Sequence, residues 1–282
     1  MANGLFEERL AGKHSRSTAA RPTAAGQTTF FGEPVIEVKN LSKIYPNGTR
    51  GLDDVSVDIQ NGEFVCVIGL SGAGKSTFLR CLNRLNTATS GQILIDGEDI
   101  AFAQGARLRT IRRRIGFVFQ QFNLSTRLTA LENVLAGRLG YHNRFVGALG
   151  LFPQADIELA QSALHRVGLG DKVGVRVDQL SGGQQQRVAI ARALAQQPTL
   201  ILADEPMASL DPKLSGVIMG LLKGFNKDGI SVVVNIHVLE LATVYADRIL
   251  GFNKGRIVFD GPPSALSEHE VERIYAGSVA DL

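Results

Sequence analysis

The sequence has no tryptophan and only two cysteines in 282 residues. Cys66 and Cys81 cannot build a disulfide framework or supply a structural zinc site unaided, so they read as buried thiols in a reducing compartment. An excess of one charge is also missing. Thirty basic against 27 acidic residues leave a net charge of +3, well short of the basic patch of a dedicated nucleic-acid binder. No run of about 18 apolar residues occurs, which excludes a membrane-spanning helix. The opening residues MANGLFEERLAGKHSR hold no continuous apolar stretch of the kind a secretory signal needs, and Glu7 and Glu8 argue against a mitochondrial transit peptide. The expectation is a soluble cytoplasmic protein.

Apolar material is plentiful at 44% of residues, enough for a real core. There are 31 glycines without a collagen-like period, which points to tight turns and close backbone approaches to a ligand. Residues 1–33 stand apart. Lys13 to Thr29 is rich in Ser, Thr, Ala, Gly, Arg and Gln, and such a stretch cannot bury enough surface to offset its ordering entropy. It reads as a flexible tail with a short helix around Phe6 to Leu10.

From Pro34 onward, strand and helix patterns alternate. PVIEVKNLSKIY and VSVDIQNGE read as short strands with turns at Asn47-Gly48 and Asn61-Gly62. FVCVIG (64–69), TLILADE (199–205) and SVVVNIH (231–237) are continuous apolar runs, the pattern of strands buried on both faces. GQILIDGEDI (91–100) and RIGFVFQ (114–120) read as further strands, and RILGFNKGRIVFDG as a hairpin about Asn253 to Gly255. Residues 128–178 carry apolar residues at helical spacing, and a helix is expected over about 183–196. The fold class is α/β: a parallel core, an antiparallel β-subdomain, and a helical insertion at about 125–180.

GLSGAGKS, Gly69 to Ser76, fits the phosphate-loop pattern G-x4-G-K-[ST] and lies where that pattern is meaningful, after an apolar strand and opening a helix. Gly69, Gly72 and Gly74, with Ser71 and Ala73 between them, let successive backbone N–H groups curl around a β-phosphate. The helix N-terminus adds its positive end. Lys75 would reach the β- and γ-phosphate oxygens, Ser76 would ligate Mg2+, and Thr77 would donate to the α-phosphate. A chance match would lack the strand–helix context. TLILADE then places Asp204 and Glu205 at the C-terminal edge of a buried strand, where ligands collect in parallel sheets. Asp204 would hold the metal and Glu205 would act as general base on the attacking water. Alone, the two acids would equally fit a solvated strand end.

LSGGQQQR (180–187) narrows the class, because here the chain resembles the ATP-binding-cassette (ABC) ATPases, whose signature is LSGGQ. The resemblance covers about residues 35–262. It implies an ABC-type P-loop fold with a RecA-like core, and an ATPase that uses ATP and Mg2+. It also implies a second phosphate site at Ser181, Gly182, Gly183 and Gln184, best used in trans. The partner is then a second copy in a head-to-tail dimer, with Ser181–Gln184 of one chain facing Gly69–Thr77 of the other. Tyr45 matches the aromatic that stacks on adenine, although a loop tyrosine covering the sheet would look the same. Gln120 matches the glutamine that senses Mg2+ and water, with Gln121 beside it leaving a one-place ambiguity. MASLD (207–211) matches the D-loop, with Asp211 crossing the dimer interface. His237 matches the switch histidine that meets the γ-phosphate.

One cassette, no heptad run and little excess charge argue against the soluble ABC ATPases that act on DNA or ribosomes. With no fused membrane domain, the resemblance implies a bacterial importer subunit on the cytoplasmic face of the membrane. Its partners would be two membrane-spanning permease subunits and, indirectly, a solute-binding protein. FQQFNLSTRLTALENVLAGRLGYHNRFVGALGLFPQADIELAQSALHRVGL (119–169) and ILADEPMASLDP resemble the phosphonate-import ATPases. Met207 stands where that group has Ile and Val238 where it has Gln. Polar amino-acid importers share the QQFNL-like segment and are the alternative. Phe122, Leu124, Phe145, Leu151 and Phe152 suit a groove for a permease helix, or simply pack the helical subdomain. Residues 263–282 hold one amphipathic helix with no chemistry attached.

Overall fold

The computed structural model describes residues 34–101, 103–142, 150–208 and 210–277. The tail over residues 1–33, Phe145 and Ser209 of the D-loop lie outside the described residues.

The chain begins with an antiparallel pair, β1 (Ile36–Ile44) and β2 (Arg50–Ile59), joined through the Asn47-Gly48 turn, where Gly48 adopts φ 82°. β3 (Phe64–Gly69) runs into α1 (Lys75–Leu82). β4 (Ser90–Ile95) and the short β5 (Glu98–Asp99) complete a four-stranded sheet in the order β2-β1-β4-β5. After α2 (Gly105–Arg113), the second sheet gains β6 (Ile115–Val118), β7 (Leu200–Asp204), β8 (Ser231–Asn235) and the hairpin β9 (Arg248–Asn253)–β10 (Arg256–Gly261). Its order is β10-β9-β3-β8-β7-β6, with every neighbouring pair parallel except the terminal hairpin.

Side-chain alternation along the strands divides the core into two layers. Val65 and Val67 of β3, Leu202, Val233 and Phe252 face the first sheet and sandwich Phe78, Leu79, Cys81 and Leu82 of α1. Phe64, Cys66 and Ile68 face the other way, with Ala203 and Val234, against the helices. Those helices are α3 (Ala130–Leu135), α4 (Gln154–Arg166), α5 (Gly182–Leu194), α6 (Pro212–Lys227), α7 (Leu239–Tyr245) and α8 (Glu268–Tyr275). A strand packed on both faces has no polar face, which is why the three apolar runs carry no alternation.

The helical insertion is less regular than its sequence pattern suggests. α3 is short, opens with a Thr129–Glu132 capping box and passes into 3-10 turns over Ala136–Tyr141. Leu124 and Phe152 pack against the core, whereas Leu151 is 67% exposed. A salt bridge is buried at the end of this segment. Arg138 Nε donates to Asp156 Oδ1 at 2.8 Å, and His142 Nε2 contacts the other carboxylate oxygen.

Residues 263–277 lie on the cassette itself. Ile274 of α8 is fully buried and sits so close to Gly251 that a Cβ there would come within 2.5 Å of it. Asn253 Nδ2 also donates to the Arg273 carbonyl at 2.8 Å. No helix among the described residues is long and apolar enough to cross a membrane.

Candidate functional site

β3 delivers the chain to the C-terminal edge of the sheet, and the next residues turn in a way only glycine tolerates. Gly69 has φ 144°, and a Cβ there would lie 2.2 Å from the Phe252 carbonyl oxygen. Gly74 has φ 106°, with the Gly51 carbonyl 2.5 Å from its Cβ position. Gly72 also has a positive φ, while Ser71 is exposed and Ala73 is buried beneath the loop. The loop is thus pressed between the β9–β10 hairpin and β2, leaving a concave run of backbone at the start of α1 of the kind that cradles phosphate.

Lys75 is 3% exposed, and its Nζ donates to the carbonyls of Gly69 and Leu70, each at 2.8 Å. An ammonium has three donors, so one remains for an anion in the loop. Burial pushes the Lys75 ammonium below the usual lysine range, and the carboxylates of Glu205 and Asp204 oppose that shift.

β7 ends in Asp204, whose side chain is almost fully enclosed. Its Oδ2 pairs with Arg80 of α1 at 3.1 Å, and its Oδ1 accepts from Asn235 Nδ2 at 2.9 Å. The same Nδ2 donates to Ser76 Oγ at 3.2 Å, so the two expected metal ligands converge on one amide. Ser76, Asp204 and the Gln120 side-chain carbonyl offer only oxygen, the donor set of a hard cation such as Mg2+. Among the described residues no three His, Cys, Asp or Glu side chains converge, so a divalent ion at Ser76 and Asp204 would draw further oxygens from phosphate and water. The residues fit Mg2+ bound together with a nucleotide.

Glu205 follows with φ 49°, a left-handed conformation uncommon for a residue with a side chain. Its backbone N–H donates to the Asn235 carbonyl at 3.1 Å, tying the turn to β8. Its carboxylate is held on both sides: Oε2 accepts from Gln120 Nε2 at 2.9 Å, and Oε1 lies 2.6 Å from His237 Nε2. Of the adjacent glutamines it is Gln120, not Gln121, whose side chain makes this contact. His237 is half exposed, so a ligand can reach it from solvent.

Tyr45 stands at the other end of the loop. Its hydroxyl lies 3.0 Å from Thr77 Oγ1 and accepts from Asn86 Nδ2 at 3.2 Å. Gly51 leaves room for the ring, since a Cβ there would come within 2.8 Å of it. Lys75, Ser76, Thr77, Asp204, Glu205, Gln120, His237 and Tyr45 therefore surround one edge of the sheet.

The remaining expected residues sit elsewhere. Ser181 caps α5 and forms a reciprocal box with Gln184: Ser181 N donates to Gln184 Oε1 at 2.9 Å and Gln184 N to Ser181 Oγ at 3.3 Å. Gly182 is exposed with open space around it, while Gly183 is buried against Leu214. No hydrogen bond among the described residues joins Ser181–Gln184 to the phosphate loop. Asp211 is exposed and caps α6, accepting from Leu214 N at 2.9 Å.

Two further residues hold the site, Asn235 and Arg80, and neither belongs to a motif. An asparagine inside a valine run, two residues before the expected switch histidine, was the available signal for the first. Arg80 carried none, because its contact with Asp204 spans 124 residues of chain.

The ABC transporter family matches residues 52–208. The phosphonates import ATP-binding protein PhnC of Bacillus thuringiensis is 54% identical over 247 residues, covering 87% of this chain and 96% of that protein. That of Shouchella clausii is 54% identical over 248 residues, covering 88% and 93%. Among solved structures, the cassette MJ0796, a dimer in a post-hydrolysis state bound to ADP and Pi, is 39% identical with TM-score 0.72, covering 81% of this chain and 98% of that one. The ADP conformation of the cassette MJ1267 is 26% identical with TM-score 0.76, covering 87% and 100%. With its phosphate loop, paired acids and signature helix on one P-loop fold, this chain belongs to the ABC transporter family as an ATP-binding cassette.

Proposed function

We propose that this chain is the ATP-hydrolysing subunit of an importer that takes up phosphonates or related phosphorus oxyanions through separate membrane subunits. The observation that carries the cargo is the 54% identity, across nearly the whole cassette, with proteins named for phosphonate import. The hydrolytic part rests on Glu205, held between Gln120 and His237 at the sheet edge that also presents Lys75.

In this reading the loop Gly69, Ser71, Gly72, Ala73 and Gly74 wraps the β-phosphate, and Lys75 gives its remaining donor to the phosphate oxygens. Thr77 meets the α-phosphate, and the Tyr45 ring lies against adenine. Ser76, Asp204 and Gln120 would hold Mg2+, which would supply positive charge against the phosphate oxygens. Glu205 accepts the proton of the attacking water. Its Oε1 is engaged by His237 here, so a γ-phosphate that draws His237 to itself also frees Oε1 for water. The contact couples arrival of the nucleotide to readiness of the base.

Ser181, Gly182, Gly183 and Gln184 close on the nucleotide held by a second copy, and Asp211 lies at that junction. A helix N-terminus with a capping serine is an anion site, and this one makes no hydrogen bond to its own phosphate loop among the described residues. Closure around ATP and reopening after hydrolysis would drive the permease.

The permease helix would enter a cleft of about 590 Å³ between α2, the end of β6, the turns after α3, and α5. Arg109, Arg112, Arg113 and Arg192 line it with Phe117 and Phe119. Of the apolar residues expected from sequence to form this groove, Phe122, Leu124, Leu151 and Phe152 do not line it and Phe145 lies outside the described residues; the cleft is basic instead and suits a helix carrying carboxylates beside an apolar anchor.

The test is ATPase activity of the chain reconstituted with its permease, a solute-binding protein and a panel of cargoes. Stimulation by phosphonates, phosphite or phosphate, and not by amino acids, is the expected result. Stimulation by polar amino acids alone would transfer the chain to the other importer class. Stimulation by DNA or ribosomes without any permease would refute transport.

A further inference from the structure

Asn235 closes β8 between the strand that carries the phosphate loop and the strand that carries the acids. The sheet register places it opposite Val67 of β3 and Asp204 of β7. It is fully buried behind Val232, Val233 and Val234. A carboxamide in such a strand is unfavourable unless it is hydrogen-bonded, and valine would suit the place better by packing alone. Yet Asn235 spends both donors of Nδ2 on functional side chains, Ser76 Oγ at 3.2 Å and Asp204 Oδ1 at 2.9 Å, and its Oδ1 is buried without a partner among the described residues. The orientation is fixed by chemistry, since turning the amide over would set its carbonyl oxygen against the Asp204 carboxylate. Its backbone carbonyl meanwhile holds the N–H of Glu205.

We propose that Asn235 is a positioning residue for the metal-binding pair: one amide, gripping Ser76 and Asp204 together, sets how tightly the divalent cation joins the bound nucleotide. The inference rests on the reading of Ser76 and Asp204 as Mg2+ ligands. Arg80 holds the second oxygen of the same carboxylate, so Asp204 is fixed from both sides before any cation arrives. Each of its oxygens keeps a further lone pair for a ligand. Groups behind metal ligands fix their orientation in this way, and their loss typically weakens metal binding by about ten- to hundredfold. Asn235 therefore ties two functions to one residue: the side-chain spacing of the two ligands, and the backbone position of the base.

The experiment uses the full chain and Mn2+ as probe. Free Mn2+ is titrated by electron paramagnetic resonance at saturating ATP, and nucleotide affinity is measured separately in excess EDTA. Asn235→Val removes the amide, and Asn235→Thr retains a single hydroxyl donor. The expected result is a rise in the Mn2+ dissociation constant of about ten- to hundredfold for Asn235→Val, with EDTA affinity within about threefold of wild type and Asn235→Thr intermediate. Should Asn235→Val fail to fold, the shift in Asn235→Thr decides the matter. Wild-type Mn2+ affinity in a folded variant would overturn the inference, as would a parallel fall of both affinities, which marks a purely structural role. If the wild-type chain binds ATP no more tightly with Mn2+ than in EDTA, the metal-ligand reading of Ser76 and Asp204 fails first.

Discussion

Glu205 Oε1 and His237 Nε2 lie 2.6 Å apart, so the residue expected to activate water is hydrogen-bonded to the residue expected to sense the γ-phosphate. Gln120 occupies the opposite oxygen. In the proposed cycle each neighbour would meet a different part of the nucleotide complex, and both converge on one carboxylate. Replacing Glu205 by Gln keeps the shape and removes the carboxylate proposed as the base. Glu205→Gln should lower steady-state ATP hydrolysis by about 10²- to 10⁴-fold, the usual worth of a general base, while ATP affinity stays near wild type. Hydrolysis assays beside equilibrium nucleotide binding check it, and normal turnover would remove Glu205 from the base role.

Lys75 carries the pH dependence. Its ammonium is depressed by burial, so it loses its proton at lower pH than a solvent-exposed lysine as the solution becomes alkaline. The cation is the form that binds phosphate. Metal-free ATP affinity should therefore fall on the alkaline side, starting below the ordinary lysine range. Lys75→Ala should lose about 1.5–3 kcal/mol of binding at neutral pH and show no such alkaline limb. Nucleotide binding measured from neutral to alkaline pH tests both statements.

The Arg138–Asp156 pair anchors the packing of the helical insertion. Both side chains are more than nine-tenths buried, so removing one partner strands the other charge. Asp156→Ala should destabilise the protein by about 3–5 kcal/mol. The double variant Asp156→Ala, Arg138→Leu should recover much of that, because the buried guanidinium is removed with its carboxylate, although His142 loses its carboxylate contact. Denaturant unfolding of the two variants gives the comparison directly.

The thiols should be inert. Burial pushes Cys66 far above the usual thiol range and Cys81 up to about 11. At pH 8 only about one Cys81 in a thousand is then thiolate, the reactive form. Alkylation of the native protein should be slow at both positions and become fast in denaturant. Rapid native labelling of Cys81 would show that the α1 layer opens, and of Cys66 that the opposite, helix-covered layer does.

Much of this architecture is legible in the chain, for identifiable reasons. FVCVIG, TLILADE and SVVVNIH lack alternation because β3, β7 and β8 are covered on both faces. The hairpin about Asn253 to Gly255 declares itself through Lys254 and Gly255, which both take positive φ in the turn. α2 escapes notice because its sequence, GARLRTIRR, buries only Ile111 and offers no apolar stripe. α7 is short, and Ala242 alone is fully buried along it. The site divides in the same way. Local motifs name Lys75, Ser76, Asp204 and Glu205, whereas two of the contacts that orient them, Arg80 to Asp204 and Asn235 to Ser76, join segments more than a hundred residues apart. The salt bridge at Asp156 likewise has no local signature, since an Arg and an Asp on neighbouring helical segments read as surface charges.

In the proposed dimer each catalytic site is shared, with Ser181–Gln184 of one copy closing on Gly69–Thr77 of the other. Complementation between two inactive chains, Lys75→Ala and Ser181→Arg, tests it most directly. In a mixed dimer the intact phosphate loop of one chain meets the intact signature of the other, which restores one complete site. The mixture, reconstituted with its permease, should hydrolyse ATP although neither variant alone does. No recovery in demonstrated mixed dimers would mean that each chain completes its own site, and the shared site would be contradicted.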